Sequence, residues 1–341
     1  MRDSPAPGIY PPLRRSMLLT MAILSDRSIN PAECRHLRIS CPGVAGVGVS
    51  VVFRSKYGVV CHAFQEGNDM PETKFTKYAN HVYQLVVDVR DFSQRAVHPA
   101  IEAMPLDKDR NPRREIPVSF TFLRILHWLH TCERLNQTSD WQAVGAGARA
   151  VFEHYLDLIW LKSYPDDRWI ECWWRYQDVN AYQIATRALN RRASGPGSAI
   201  DAGVYQAAVD RMNAAEPVEL IVSRCWGVCD GKPKWPGFHW TGIGNLRQRA
   251  ERLGDEHHDE YVELYPILSN LVHPGPMMLG MPFEQIELRI AHAYLHMFRR
   301  ARDAVIVTCG LLRFRERISE YDKFMSDLAK WTDDAIAAFP K

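Results

Sequence analysis

The sequence predicts a mainly α fold, a multi-helix bundle with a small N-terminal β-hairpin, and three features carry that prediction. Apolar residues recur three and four apart from Lys77 almost to the C-terminus, one pair of short β-branched runs stands near the N-terminus, and Gly/Pro-rich stretches fall between the periodic segments. In chain order, residues 1–45 are rich in Pro, Arg and Ser without a period, which predicts a loosely ordered arm. Residues 46–66 hold "GVGVSVVF" and "YGVVCHAF" around "RSK", a hairpin pattern. Residues 75–340 form the helical bundle domain. Its segments include "YANHVYQLVVDVRDF", "FTFLRILHWLHTCERL", "ARAVFEHYLDLIWL", "RWIECWWRYQDVNAYQIATRALNRR", "IGNLRQRAERLG" and "FEQIELRIAHAYLHMFRRARDAVIV". The stretches "PLDKDRNPRREIP", "ASGPGS" and "GVCDGKPKWPGFHW" read as loops.

Composition excludes several classes. With 341 residues, 46% apolar and 24% charged, the chain can bury a large core without staples, and a formal charge of +2 excludes binding driven by overall charge. The eight cysteines are spread thinly, which predicts a reducing compartment and buried thiols. No window approaches the run of ~20 apolar residues that a membrane span needs. A cytoplasmic location with no membrane contact and no cofactor is therefore expected.

The segment "YVELYPILSNLVHPGP" places Tyr261, Tyr265, Ser269 and His273 four apart, on one slowly drifting helix face. Pro266 lacks a backbone donor, so a kink or a restart is expected there, and Pro274 predicts that His273 ends the helix. At a helix C-terminus the unpaired carbonyls favour imidazolium, which suits His273 to donating a proton or holding an anion. Upstream, Arg149 and Glu153 lie about 40° apart on the stripe that carries Leu156 and Trp160, so this charged pair faces the core side. A buried pair of this kind needs mutual bonds or a third polar group.

These residues resemble a family of uncharacterised, mostly bacterial helical proteins, a domain of unknown function. The pattern is Arg-x-x-x-Glu, then Trp-x-Gly, then Tyr-x-x-x-Tyr-x-x-Leu-Ser-x-x-x-His-Pro. It is matched by Arg149 and Glu153, by Trp240 and Gly242, and by Tyr261, Tyr265, Leu268, Ser269, His273 and Pro274. The resemblance spans roughly residues 75 to 310. It implies a helical fold with a shared polar cluster, here Arg149, Glu153, Ser269 and His273 lined by Tyr261, Tyr265 and Trp240; the function expected of it is that of a defence- or stress-associated module. Some relatives are similar to HEPN helical ribonucleases, which use an Arg and a His separated by four to six intervening residues, without metal. Here Arg289 with His296 is the alternative nuclease pair on geometric grounds, because the two share a helix face with His292 and Arg300. Chance alone predicts about four such pairs in a chain of this composition, so the spacing by itself decides nothing.

The expected partner is RNA or another anionic ligand, with a homodimer through a helix face as a further expectation. Cys34, His36, Cys41, Cys61 and His62 offer metal-ligand types without a finger spacing, so no metal is assigned to them. Lys232 and Lys234 beside Trp235 and Phe238 combine cations with flat rings.

Overall fold

The computed structural model describes residues 53–55, 58–60, 74–104, 114–134, 141–193, 202–272 and 283–337. The arm expected at 1–45, the cysteines and histidines of the N-terminal cluster, and His273 with Pro274 lie outside the described residues. The chain divides into two units, residues 1–70 and 71–341. In the first, β1 (Phe53–Ser55) pairs antiparallel with β2 (Gly58–Val60), Phe53 opposite Val60.

The second unit is helical. α1 (Lys74–Phe92) buries Tyr78, Val82, Leu85, Val86 and Val89, the spacing of a one-sided apolar stripe. It passes into a π-turn at Ser93–Val97 and a short α2 (His98–Glu102). Pro99 at the start of α2 lacks an N–H and would crowd the carbonyl of Arg95, so the widened turn sits where regular α geometry is least tenable. α3 (Glu115–Arg134) and α4 (Trp141–Ser163) follow. Then come α5 (Asp167–Ala193), α6 (Ala202–Ala215) and α7 (Val218–Trp226). α8 (Leu246–Leu253), α9 (Asp255–Val272), α10 (Phe283–Leu311) and α11 (Tyr321–Ala337) complete the described helices.

The centre is α4, which packs against α3, α8, α9 and α10, while α10 also packs on α1 and α3. Every residue from Tyr155 to Leu161 on α4 is buried, so this helix is apolar nearly all round. Two glycines let its neighbours approach. A Cβ on Gly145 would lie 2.5 Å from Leu271 Cβ of α9, and one on Gly147 would lie 2.1 Å from Cys132 Sγ of α3. Leu271 Cβ is fixed to its backbone and cannot rotate away. Gly145→Ala is therefore expected to destabilise the fold by about 1–3 kcal/mol in urea unfolding. Gly310→Ala, whose Cβ meets nothing within 4 Å, is the control, expected to be neutral or slightly stabilising. A smaller core joins α5 and α7 through Cys172, Val179, Ile221, Val222 and Trp226.

The helical unit also carries an antiparallel sheet, β3 (Val228–Cys229) with β4 (Lys232–Pro233), inside a stretch that the sequence predicts as plain loop. Its two-residue connection is Asp230-Gly231, at φ 52° and 72°, the positive values that a type I′ turn requires. At Pro266, where a kink or a restart is expected, the helix does not restart: α9 continues from Asp255 to Val272. Pro266 and Val262 are both exposed, so the Val262 carbonyl that loses its partner faces the solvent side.

Candidate functional site

Residues 149, 153 and 157 follow one another by a turn of α4 and form a polar stripe on a helix that is otherwise core. Arg149 Nε donates to Glu153 Oε1 at 2.9 Å, and each side chain is 33% exposed, so the pair sits at the rim rather than in the interior. From α9, Tyr265 lies under the guanidinium with its ring centre 4.8 Å from Cζ, and Tyr261 stacks on Tyr265 at 4.7 Å and 23°. Burial works against the Arg149 charge, but the hydrogen bond and charge of Glu153 outweigh it and hold the pKa above the ordinary value. Burial raises the Tyr265 phenol, with Arg149 opposing. Only Nε of Arg149 is engaged, and its two terminal nitrogens have no partner among the described residues. The result is a guanidinium fixed in orientation by a carboxylate and an aromatic ring, with its fork open.

Thus Arg149, Glu153, Tyr261 and Tyr265 come together, with the charged pair at the rim rather than on the core side that its spacing predicts. Ser269 lies one turn beyond Tyr265 on α9, half-buried, beside buried Leu268. Trp240, expected to line a ligand, is instead a core residue. It is 5% exposed, stands edge-on to Trp169 at 6.5 Å, and its carbonyl accepts from Trp226 Nε1 at 2.7 Å. Gly242 belongs to the same knot: its φ is +69°, and a Cβ there would lie 2.5 Å from Trp226 Cδ1. The Trp-x-Gly motif is architecture.

The stripe continues to a residue that the sequence reading passed over. Asp157 is buried, with Oδ1 accepting from Arg249 Nη1 of α8 at 3.0 Å and lying 2.9 Å from His239 Nε2. His239 Nδ1 lies 3.3 Å from the backbone N of Thr241, and its Nε2 stands between Asp157 Oδ1 at 2.9 Å and Arg249 Nη1 at 2.6 Å. Burial alone would raise the Asp157 pKa. The charge on His239, hydrogen bonds from His154 and His239, and the charge on Arg249 together hold it well below the usual carboxylate range. A signal for this was present, because Asp157 extends the i, i+4 series of Arg149 and Glu153 into the apolar run "YLDLIW".

The Arg289 and His296 pair lies on α10. His296 is 3% exposed, with Nδ1 2.9 Å from Glu260 Oε1, and Arg300 Nε donates to the same oxygen at 2.6 Å. His296 is covered because α10 packs on α1, α3 and α4, while Arg289, His292 and Arg300 on the same face stay half-buried. Among the described residues no cluster of His, Cys, Asp and Glu is arranged to hold a metal, and no described helix is long and apolar enough to cross a membrane.

No curated protein and no solved structure matches the chain. A family match does exist. It starts where α3 starts and takes in Arg149, Glu153, Asp157, Trp240, Gly242, Arg249, Tyr261 and Tyr265. Residues 115–284 match the model of a family of unknown function, DUF5677.

Proposed function

We propose that the protein is a helical binding module whose half-buried Arg149 holds a small oxyanion, a carboxylate or a phosphate, at the α4–α9 rim. The observation that carries this reading is the open fork, with Nε tied to Glu153, Cζ over Tyr265, and both terminal nitrogens without a described partner. A planar guanidinium meets a carboxylate or phosphate through two parallel bonds, and prior fixing of its orientation lowers the ordering cost of binding. Tyr261 supplies a flat wall beside the fork, and Ser269 a hydroxyl one turn further along α9. The defence- or stress-associated setting implied by the sequence resemblance is compatible with such a module.

Binding fits these residues better than catalysis. The acid of the cluster, Glu153, is committed to Arg149, and the histidine of the alternative ribonuclease pair, His296, is sealed beside Glu260 and Arg300. General-base work by that pair would need His296 within reach of the ribose hydroxyl.

The test is calorimetric titration with benzoate and with inorganic phosphate at fixed ionic strength. Wild type is expected to bind at least one of them, and Arg149→Lys, which keeps the charge but loses the fork, to bind about tenfold more weakly. Equal affinity in wild type and Arg149→Lys, or no heat from either probe, would overturn the reading.

A further inference from the structure

A second polar depression lies away from the Arg149 rim, between the β3–β4 loop and α8. It is an open groove of about 670 Å³ whose walls include Lys234, Ile243, Gly244, Gln248, Glu251 and Arg252. That volume falls within the range of small-molecule sites, roughly 300–1,000 Å³.

Its charge balance is one-sided. Lys234 and Arg252 are both exposed, and neither has an acidic partner among the described residues. The acid on this wall, Glu251, is already engaged by Arg247 Nε at 2.9 Å and lies 3.4 Å from His258 Nε2. Two uncompensated cations therefore border a concave surface, where low-dielectric walls concentrate their field.

The walls are also held in place. Asn245 caps α8 by accepting the Gln248 N–H at 2.9 Å, and Arg249, on the inner side of the same helix, is tied to Asp157 at 3.0 Å. On the other side, the Lys234 N–H donates to the Gly227 carbonyl at 2.9 Å, and Trp235 stacks on Tyr182 of α5 at 5.9 Å and 5°. Gly244 sits so close to Gln248 that a Cβ there would meet Oε1 at 3.1 Å, leaving the floor bare backbone. A fixed, glycine-floored groove with one ammonium, one guanidinium and the apolar edge of Ile243 suits an anion attached to a small body.

We infer that this groove binds a phosphate-bearing small molecule, with Lys234 and Arg252 as the phosphate holders and Ile243 under the rest of the ligand. The site is separate from the Arg149 rim, so the two readings stand or fall independently.

The experiment is calorimetric titration of the full chain with adenosine monophosphate, pyrophosphate and inorganic phosphate, repeated at raised salt. Saturable binding that weakens with salt is expected, and Lys234→Gln and Arg252→Gln are each expected to weaken it by about tenfold, since each removes one charge-assisted contact. Both side chains are exposed, so the melting curves of these variants should match wild type. Arg247→Gln, which releases the wall carboxylate of Glu251 to compete for the groove cations, should also weaken the binding. Tighter binding of adenosine monophosphate than of inorganic phosphate would support a ligand body on Ile243, and its selective loss in Ile243→Ser would place it there. The inference is overturned if wild type binds none of the three probes at about 10 mM, a few kcal/mol of binding free energy. It is equally overturned if Lys234→Gln and Arg252→Gln bind like wild type. Phosphate binding lost in Arg149→Lys but kept in both groove variants would reject this site while supporting the rim reading.

Discussion

Asp157→Asn is expected to cost about 3–5 kcal/mol of unfolding free energy, because it leaves the Arg249 guanidinium buried without its counter-charge. The replacement keeps size and shape, so the loss isolates charge rather than a cavity. Asp157 also anchors His239, and through it the turn at Thr241 that leads into α8. The comparison is Glu153→Gln on the same stripe, one turn earlier. That pair is a third exposed, and its removal is expected to cost less than about 1 kcal/mol. Urea unfolding of the two variants measures the difference directly. A pairwise replacement, Asp157→Leu with Arg249→Met, is expected to recover most of the loss, since it removes both charges and restores apolar packing. Equal costs for Asp157→Asn and Glu153→Gln would mean that the interior position of the stripe carries no special weight.

The contrast between those two acids marks where the sequence is legible. Arg149 with Glu153 is a local contact on one helix, so spacing alone predicts it, and the four-residue rhythm of Tyr261 and Tyr265 identifies the α9 face that meets them. Asp157 with Arg249 joins residues 92 apart, and nothing local states which arginine arrives. The same distinction explains the Arg289–His296 stripe. Its four polar residues share one helix face, but whether such a face meets solvent depends on what packs over it, and α10 is covered on several sides. Pro266 is the reverse case. The local rule allows a kink or a restart, and exposure of Pro266 and Val262 leaves the orphaned carbonyl on the wet side, so the helix continues without restarting. The β3–β4 hairpin was visible in Asp230-Gly231, a strong turn pair. It was obscured by flanking strands of two residues each, too short to show alternation.

Acid is expected to unfold the protein in two stages, and the second buried network sets the first of them. His296 and His257 both titrate below the ordinary imidazole value, with burial as the leading cause. The unfolded chain therefore takes up protons at about pH 6.5, where the folded one refuses them. The contribution is complete above that pH and is lost as pH falls toward the folded-state values, at up to about 1.4 kcal/mol per pH unit for each such group. Glu260 and Asp157 behave as depressed carboxyls. Burial would raise each, but the histidines and arginines around them prevail. Their contribution is present above about pH 4 and is lost below it. The stability curve should thus be level near neutrality, decline from about pH 6.5, and steepen below about pH 4.

Two variants separate the stages. His296→Phe, placed beside Phe152 at a ring distance of 5.3 Å in the present packing, removes one group that resists protonation, so its curve should be flatter between about pH 6.5 and 5. Glu260→Gln should instead lower the whole curve by about 3–5 kcal/mol, since Arg300 keeps only Asp303 as a carboxylate partner, at 3.1 Å. It should also weaken the step below about pH 4. A His296→Phe curve parallel to wild type throughout would show that His296 exchanges protons equally in the folded and unfolded chain. In that case Glu260, rather than burial, governs the ring, and the acid response must arise at the carboxylates alone.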